Sequence, residues 1–148
     1  MVCLGNICRS PVAEGILRHK AQVHGLDIEV DSVGTGNWHV GQAPDIRSQK
    51  VAKSNGIDIS SLRGRHVSKA DFSNFDLILA MDNANYKDLL KLASTPAEQA
   101  KVKLILDYAY PNQQLDVPDP YFGSESGFDS MFVLLDEAIE KLVEELKG

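Results

Sequence analysis

The sequence predicts an α/β fold: a four-stranded parallel sheet flanked by helices, with an unusually short first strand. Two observations carry this. Short apolar runs alternate along the chain with amphipathic helical stretches, the pattern of strand–helix–strand crossovers. The 148 residues, 43% of them hydrophobic and without repeats or low-complexity tracts, suit a single domain over 1–148.

The elements follow in order. Met1-Val2-Cys3 leaves room for a first strand of only two or three residues. A helix runs from Ser10 to His24: Pro11 suits its first turn, Val12, Ala13, Ile16, Leu17, Ala21 and Val23 form its apolar stripe, and Gly25 stops it. Glu14 and Arg18 form an i,i+4 pair, and His19 and His24 fall on the helix surface. Ile28–Ser32 reads as a strand, followed by a glycine-bearing loop from Gly34 to Pro44. A helix spans Asp45–Asn55, and the Ser68-x-x-Asp71 pattern starts a short helical turn. Leu77–Ala80 is a buried strand, Asn83–Leu92 a helix and Val102–Leu106 the fourth strand. The loop from Asp107 to Ser126 precedes a final helix, whose Met131, Leu134, Leu135, Ala138, Ile139, Leu142, Val143 and Leu146 repeat at helical spacing.

Composition narrows the function. The net charge of −6 argues against a broad grip on nucleic acid. No apolar run approaches the roughly 18 residues that span a bilayer, and the start of the chain lacks a basic, apolar leader, so a cytoplasmic protein without membrane insertion is expected. The two cysteines, Cys3 and Cys8, are too few for a disulfide scaffold or a zinc cage. The four histidines have no ligand spacing, and neither metal nor other cofactor is expected.

The chemistry concentrates in Cys3-Leu4-Gly5-Asn6-Ile7-Cys8-Arg9-Ser10-Pro11. Five residues separate Cys3 from Arg9, enough for a loop to curl with its N–H groups inward over the start of a helix. Such a cup holds a phosphate-sized anion, and Arg9 adds paired N–H donors. Positive potential around Cys3 favours the thiolate, a nucleophile. Ser10 can donate to the sulfur, and Gly5 and Asn6 tolerate the left-handed backbone of a tight cup.

This segment resembles the active-site loop of the low-molecular-weight protein tyrosine phosphatases. Asp31-Ser32-Val33-Gly34-Thr35, Trp38 to Arg47, Phe75-Asp76 through Met81-Asp82, and above all Asp119-Pro120-Tyr121-Phe122 resemble further segments of that family. The resemblance implies that Cys3, Arg9 and Asp119 are catalytic: nucleophile, phosphate ligand and general acid/base. On the residues alone, Asp82, Asp107 and Asp116 are rival carboxylates. It implies phosphate or substrate contacts from Leu4, Gly5, Asn6, Ile7, Cys8 and Ser10, with Trp38, Tyr121 and Phe122 as aromatic walls. Ile7 resembles the tyrosine-directed branch, since phosphoarginine-directed relatives carry threonine there. Asn6 and Ser32 resemble loop-bracing residues, and Asp82 is a candidate to orient Arg9. Cys8 resembles a cysteine that forms a reversible disulfide with the nucleophile, or is a small loop filler.

The implied function is hydrolysis of phosphotyrosine and small aryl phosphates through phosphocysteine. Two alternatives stay open. An arsenate reductase-like enzyme would need cysteines beyond Cys8, and a phosphotyrosine-binding module would lack turnover. The implied partner is a phosphotyrosine-bearing protein, a tyrosine kinase among the candidates, with the chain monomeric or weakly self-associating. Two departures are visible. Relatives carry several residues more before the loop. Many have a bracing histidine where Leu62 stands, so an incomplete network is expected.

Overall fold

The computed structural model describes residues 1–148. Its sheet comprises β1 (Val2–Cys3), β2 (Val33–Gly34), β3 (Ile78–Ala80) and β4 (Val102–Leu104) in the order β2-β1-β3-β4. All pairings are parallel, with Val2 opposite both Val33 and Ala80. The helices are α1 (Arg9–His24), α2 (Ile46–Ser54), α3 (Asp71–Asn74), α4 (Asn83–Leu92), α5 (Pro96–Gln99) and α6 (Glu125–Leu146).

Alternation along the strands divides the core in two. Cys3, Leu79 and Met81 join the α1, α2 and α6 residues Val12, Ile16, Val51, Leu135 and Ile139. Val2, Ile78, Ala80, Val102 and Leu104 pack with Phe72 and Leu89 on the other side. The same alternation aims Cys3 at the side where α1 begins.

Several expected elements shift. Ile28–Ser32 is irregular and the strand is Val33–Gly34, because β1 offers only two residues to pair with. The fourth strand stops at Leu104, opposite Ala80 where β3 ends, and Ile105–Tyr108 turn into a 3-10 helix. The helix α5 was not expected, although Thr95-Pro96-Ala97-Glu98 carries a start signal: Thr95 Oγ1 accepts from Glu98 N–H. Val23, placed on the apolar stripe, is 68% exposed.

At the open end of β1, Met1, Leu17, Ile28, Leu77, Leu79 and Leu142 line a groove of about 300 Å³. The Met1 ammonium is buried there, which lowers its pKa, while Glu14 and Asp31 oppose that shift.

Candidate active site

The loop between β1 and α1 is held from outside by its own carbonyls. Cys3 O accepts from Thr35 N–H at 2.9 Å, Leu4 O from Gly36 N–H at 2.9 Å and Ile7 O from Asp45 N–H at 2.7 Å. With those carbonyls turned outward, the loop encircles a pocket at the start of α1. No side chain caps that helix and no acid lies in its first turn, so its free N–H groups face the cup. Asn6 takes φ 56°, which closes the curl.

Cys3 Sγ lies 3.0 Å from Ser10 Oγ and accepts from Asn6 N–H at 3.3 Å. Arg9 is 2% exposed. Its Nη1 donates to Asp82 Oδ2 at 2.7 Å and to Val117 O at 2.9 Å. Its Nη2 lies 3.6 Å from Asp119 Oδ2. Burial alone would lower the Arg9 pKa, but Cys3, Asp82 and Asp119 reverse the effect and raise it.

The structure sorts the four aspartates. Asp82 caps α4 through Asn85 N–H and anchors Arg9. Asp116 accepts from Asn83. Asp107 sits on the 3-10 helix and does not line the pocket. Asp119 alone reaches the mouth, between Pro118 and Pro120, whose fixed φ stiffens its loop.

The pocket encloses about 260 Å³ and is lined by Cys3, Leu4, Gly5, Ile7, Cys8, Arg9, Trp38, His39, Asp119, Tyr121 and Phe122. Asn6 and Ser10 are buried and absent from its lining. Trp38 is 65% exposed, a rim residue and not part of the core. Tyr121 and Phe122 meet edge to face at 4.9 Å, with Phe122 98% exposed. Burial, then Asp45 and Asp119, push the Cys8 thiol up to about 12.

The expected gap in the bracing network is closed. Asn6 Oδ1 accepts from Arg65 N–H at 3.0 Å, and Nδ2 donates to Ser10 and Ser32. A main-chain donor satisfies the amide oxygen, while Leu62 packs on the core. Sequence reasoning did not select His39 as a site residue. Glu14 was read only as a helix pair, and Arg47 only within a resembling segment. Their signal, a polar residue meeting a distant partner, is absent from local pattern.

A family model described as low molecular weight phosphotyrosine protein phosphatase matches residues 1–148. The chain belongs to the low molecular weight phosphotyrosine protein phosphatase family. It is therefore a hydrolase. A family member from Schizosaccharomyces pombe is 44% identical over 90% of this chain and 86% of its own length. The crystal structure of a protein tyrosine phosphatase from Entamoeba histolytica aligns with TM-score 0.92 and 42% identity, covering 99% of this chain and 94% of that one. A Drosophila arginine phosphatase structure aligns with TM-score 0.92 and 36% identity, covering 99% and 96%. The solved neighbours thus include one named a tyrosine phosphatase and one named an arginine phosphatase. No helix is long and apolar enough to cross a membrane.

Proposed function

We propose that this member, acting as one domain over 1–148, hydrolyses phosphotyrosine through a phosphocysteine intermediate. The observation that carries the reading is the meeting of Cys3, Arg9 and Asp119 at one pocket floored by uncapped helical N–H groups. Loop N–H groups and the Arg9 guanidinium bind the phosphoryl oxygens and stabilise the charge of the transition state. Cys3 Sγ attacks phosphorus in line, forming the S–P bond as the P–O bond to the tyrosine breaks. Asp119 gives its proton to the leaving phenolate. It then takes a proton from the water that attacks phosphocysteine, releasing phosphate and restoring the thiolate. Ser10 donates to the sulfur when it is the nucleophile and when it leaves.

Tyrosine over arginine is supported by the walls. Ile7 presents an apolar side chain at the pocket, and Trp38 and Tyr121 flank an opening suited to an aromatic ring. A guanidinium would find no polar side chain at position 7 to receive its N–H groups.

The test is hydrolysis of an aryl phosphate across pH. Cys3→Ser should abolish turnover and retain phosphate binding. Asp119→Ala should lose the alkaline limb of the bell. Turnover by Cys3→Ser would refute the mechanism, and faster hydrolysis of phosphoarginine than of phosphotyrosine would refute the substrate assignment.

A further inference from the structure

A buried polar chain leads from Cys3 away from the pocket. Ser10 Oγ, 3.0 Å from the sulfur, accepts from Asn6 Nδ2 at 2.7 Å. The same Nδ2 donates to Ser32 Oγ at 3.0 Å, and Ser32 Oγ donates to Glu14 Oε1 at 2.6 Å. Glu14 Oε2 accepts from Arg18 Nη2 at 2.6 Å, and Arg18 also donates to Val30 O at 2.7 Å. Glu14 is 3% exposed. It sits one helical turn beyond Ser10, so one face of α1 carries both ends of the chain.

The hydrogens can be assigned one by one. An ionised carboxylate only accepts, so the single Ser32 hydroxyl hydrogen is committed to Glu14. Ser32 Oγ then faces Asn6 with lone pairs. The Asn6 amide cannot turn over, because its Oδ1 holds the Arg65 N–H. Its two Nδ2 hydrogens go to Ser32 and Ser10. Ser10 Oγ is thereby an acceptor from Asn6, and its own hydrogen is left for the sulfur.

We propose that Glu14 is a positioning residue for the nucleophile: its carboxylate takes the Ser32 hydroxyl hydrogen, so Ser32 Oγ turns a lone pair to Asn6 Nδ2 and holds in place the amide that, oriented by Arg65 N–H, donates to Ser10 and leaves the Ser10 hydrogen to Cys3. The proposal rests on Cys3 being the nucleophile. The charged groups facing Glu14 are Arg18, 2.6 Å from Oε2, and the Met1 amino group. Pairing with Arg18 needs no buried serine on the other oxygen. The Ser32 bond is the feature that an ordinary i,i+4 ion pair leaves unexplained. Replacing Glu14 by glutamine places an N–H against either Ser32 or Arg18, so the hold on Asn6 opens although the volume is kept.

The test measures Cys3 alkylation by iodoacetate across pH, read by mass on the Cys3 peptide. Wild type is compared with Glu14→Gln, Ser32→Ala, the double variant and Ser32→Thr. Glu14→Gln and Ser32→Ala should each raise the midpoint by about one pH unit, cutting the rate on the acid limb about tenfold. The double variant should go no further, since both act through one chain. Ser32→Thr, which returns the hydroxyl, should recover most of the shift. Turnover should fall while inhibition by inorganic phosphate stays within about twofold. A wild-type midpoint in Glu14→Gln with a lowered Tm would reduce Glu14 to a structural role, and additive shifts in the double variant would also overturn the proposal. If Glu14→Gln does not fold, a wild-type midpoint in Ser32→Ala is enough to overturn it. Hydrolysis by Cys3→Ser would instead fail the phosphatase mechanism, a separate outcome.

Discussion

Arg47 donates from Nη2 to the Tyr121 carbonyl at 3.0 Å, tying the start of α2 to the loop that carries Asp119. Its guanidinium also lies 4.5 Å from the Phe128 ring centroid on α6 and 5.7 Å from that of Tyr121. Asp45 holds it from behind at 3.0 and 2.9 Å. Asp119 Oδ1 in turn accepts from Tyr121 N–H at 3.1 Å. One cation therefore sets where the acid loop rests.

Arg47→Met keeps the stem and removes these bonds. A loosened acid loop delivers its proton less often, so kcat/KM, which reports the step that forms phosphocysteine, should drop about tenfold for an aryl phosphate with a poor leaving group, the scale of one lost charged hydrogen bond. A substrate with a good leaving group, which needs no proton, should be nearly unaffected. Equal losses on both would show that Arg47 acts elsewhere.

Gly36 lies against the Trp38 ring, and a Cβ there would collide with it. Gly36→Ala should displace the indole and raise KM for an aryl phosphate by roughly 10-fold, within the 1–3 kcal/mol expected of one displaced wall, with little change in inhibition by inorganic phosphate. An unchanged KM would remove Trp38 from the substrate walls.

Burial raises the Cys8 thiol from an ordinary 9.0 to about 12. A raised acid pKa favours the native state while the thiol stays protonated. Its contribution is therefore intact below about pH 9 and is lost as pH rises toward 12. The loss approaches about 1.4 kcal/mol per pH unit in that window. Urea unfolding between pH 8 and 11 should show this slope, and Cys8→Ala should lessen it by about one proton. Equal slopes in both proteins would mean that Cys8 does not titrate differently on unfolding.

The groove at the open end of β1 offers an apolar floor to a longer strand. Adding four or five apolar, β-branched residues before Met1 should raise Tm by about 5 °C or more, the return on a few kcal/mol of burial at this size. An unchanged Tm would show that the groove does not accept a strand.

Much of the site was legible because it is local. Cys3 to Arg9 is a single loop, and the full string, with Ser10 following and a helix opening behind it, implies an anion cup. Asp119 was legible only through resemblance, since Asp82, Asp107 and Asp116 have the same side chain and similar loop settings. The strand at Ile28–Ser32 was misplaced for a related reason. Its residues suit a strand, but a strand exists only opposite a partner, and β1 supplies two residues.

The sequence by itself determined the alternating α/β order, the helix faces and the cup with its thiol and arginine, because each is set by contacts within a few residues. Only the tertiary structure decided which aspartate holds Arg9 and which faces the pocket, that the Arg65 main chain completes the Asn6 bracing, and that Glu14 reaches Ser32. Those bonds join residues 18 to 73 positions apart. Their partners are chosen by how helices seat on the sheet, and no local pattern encodes that packing.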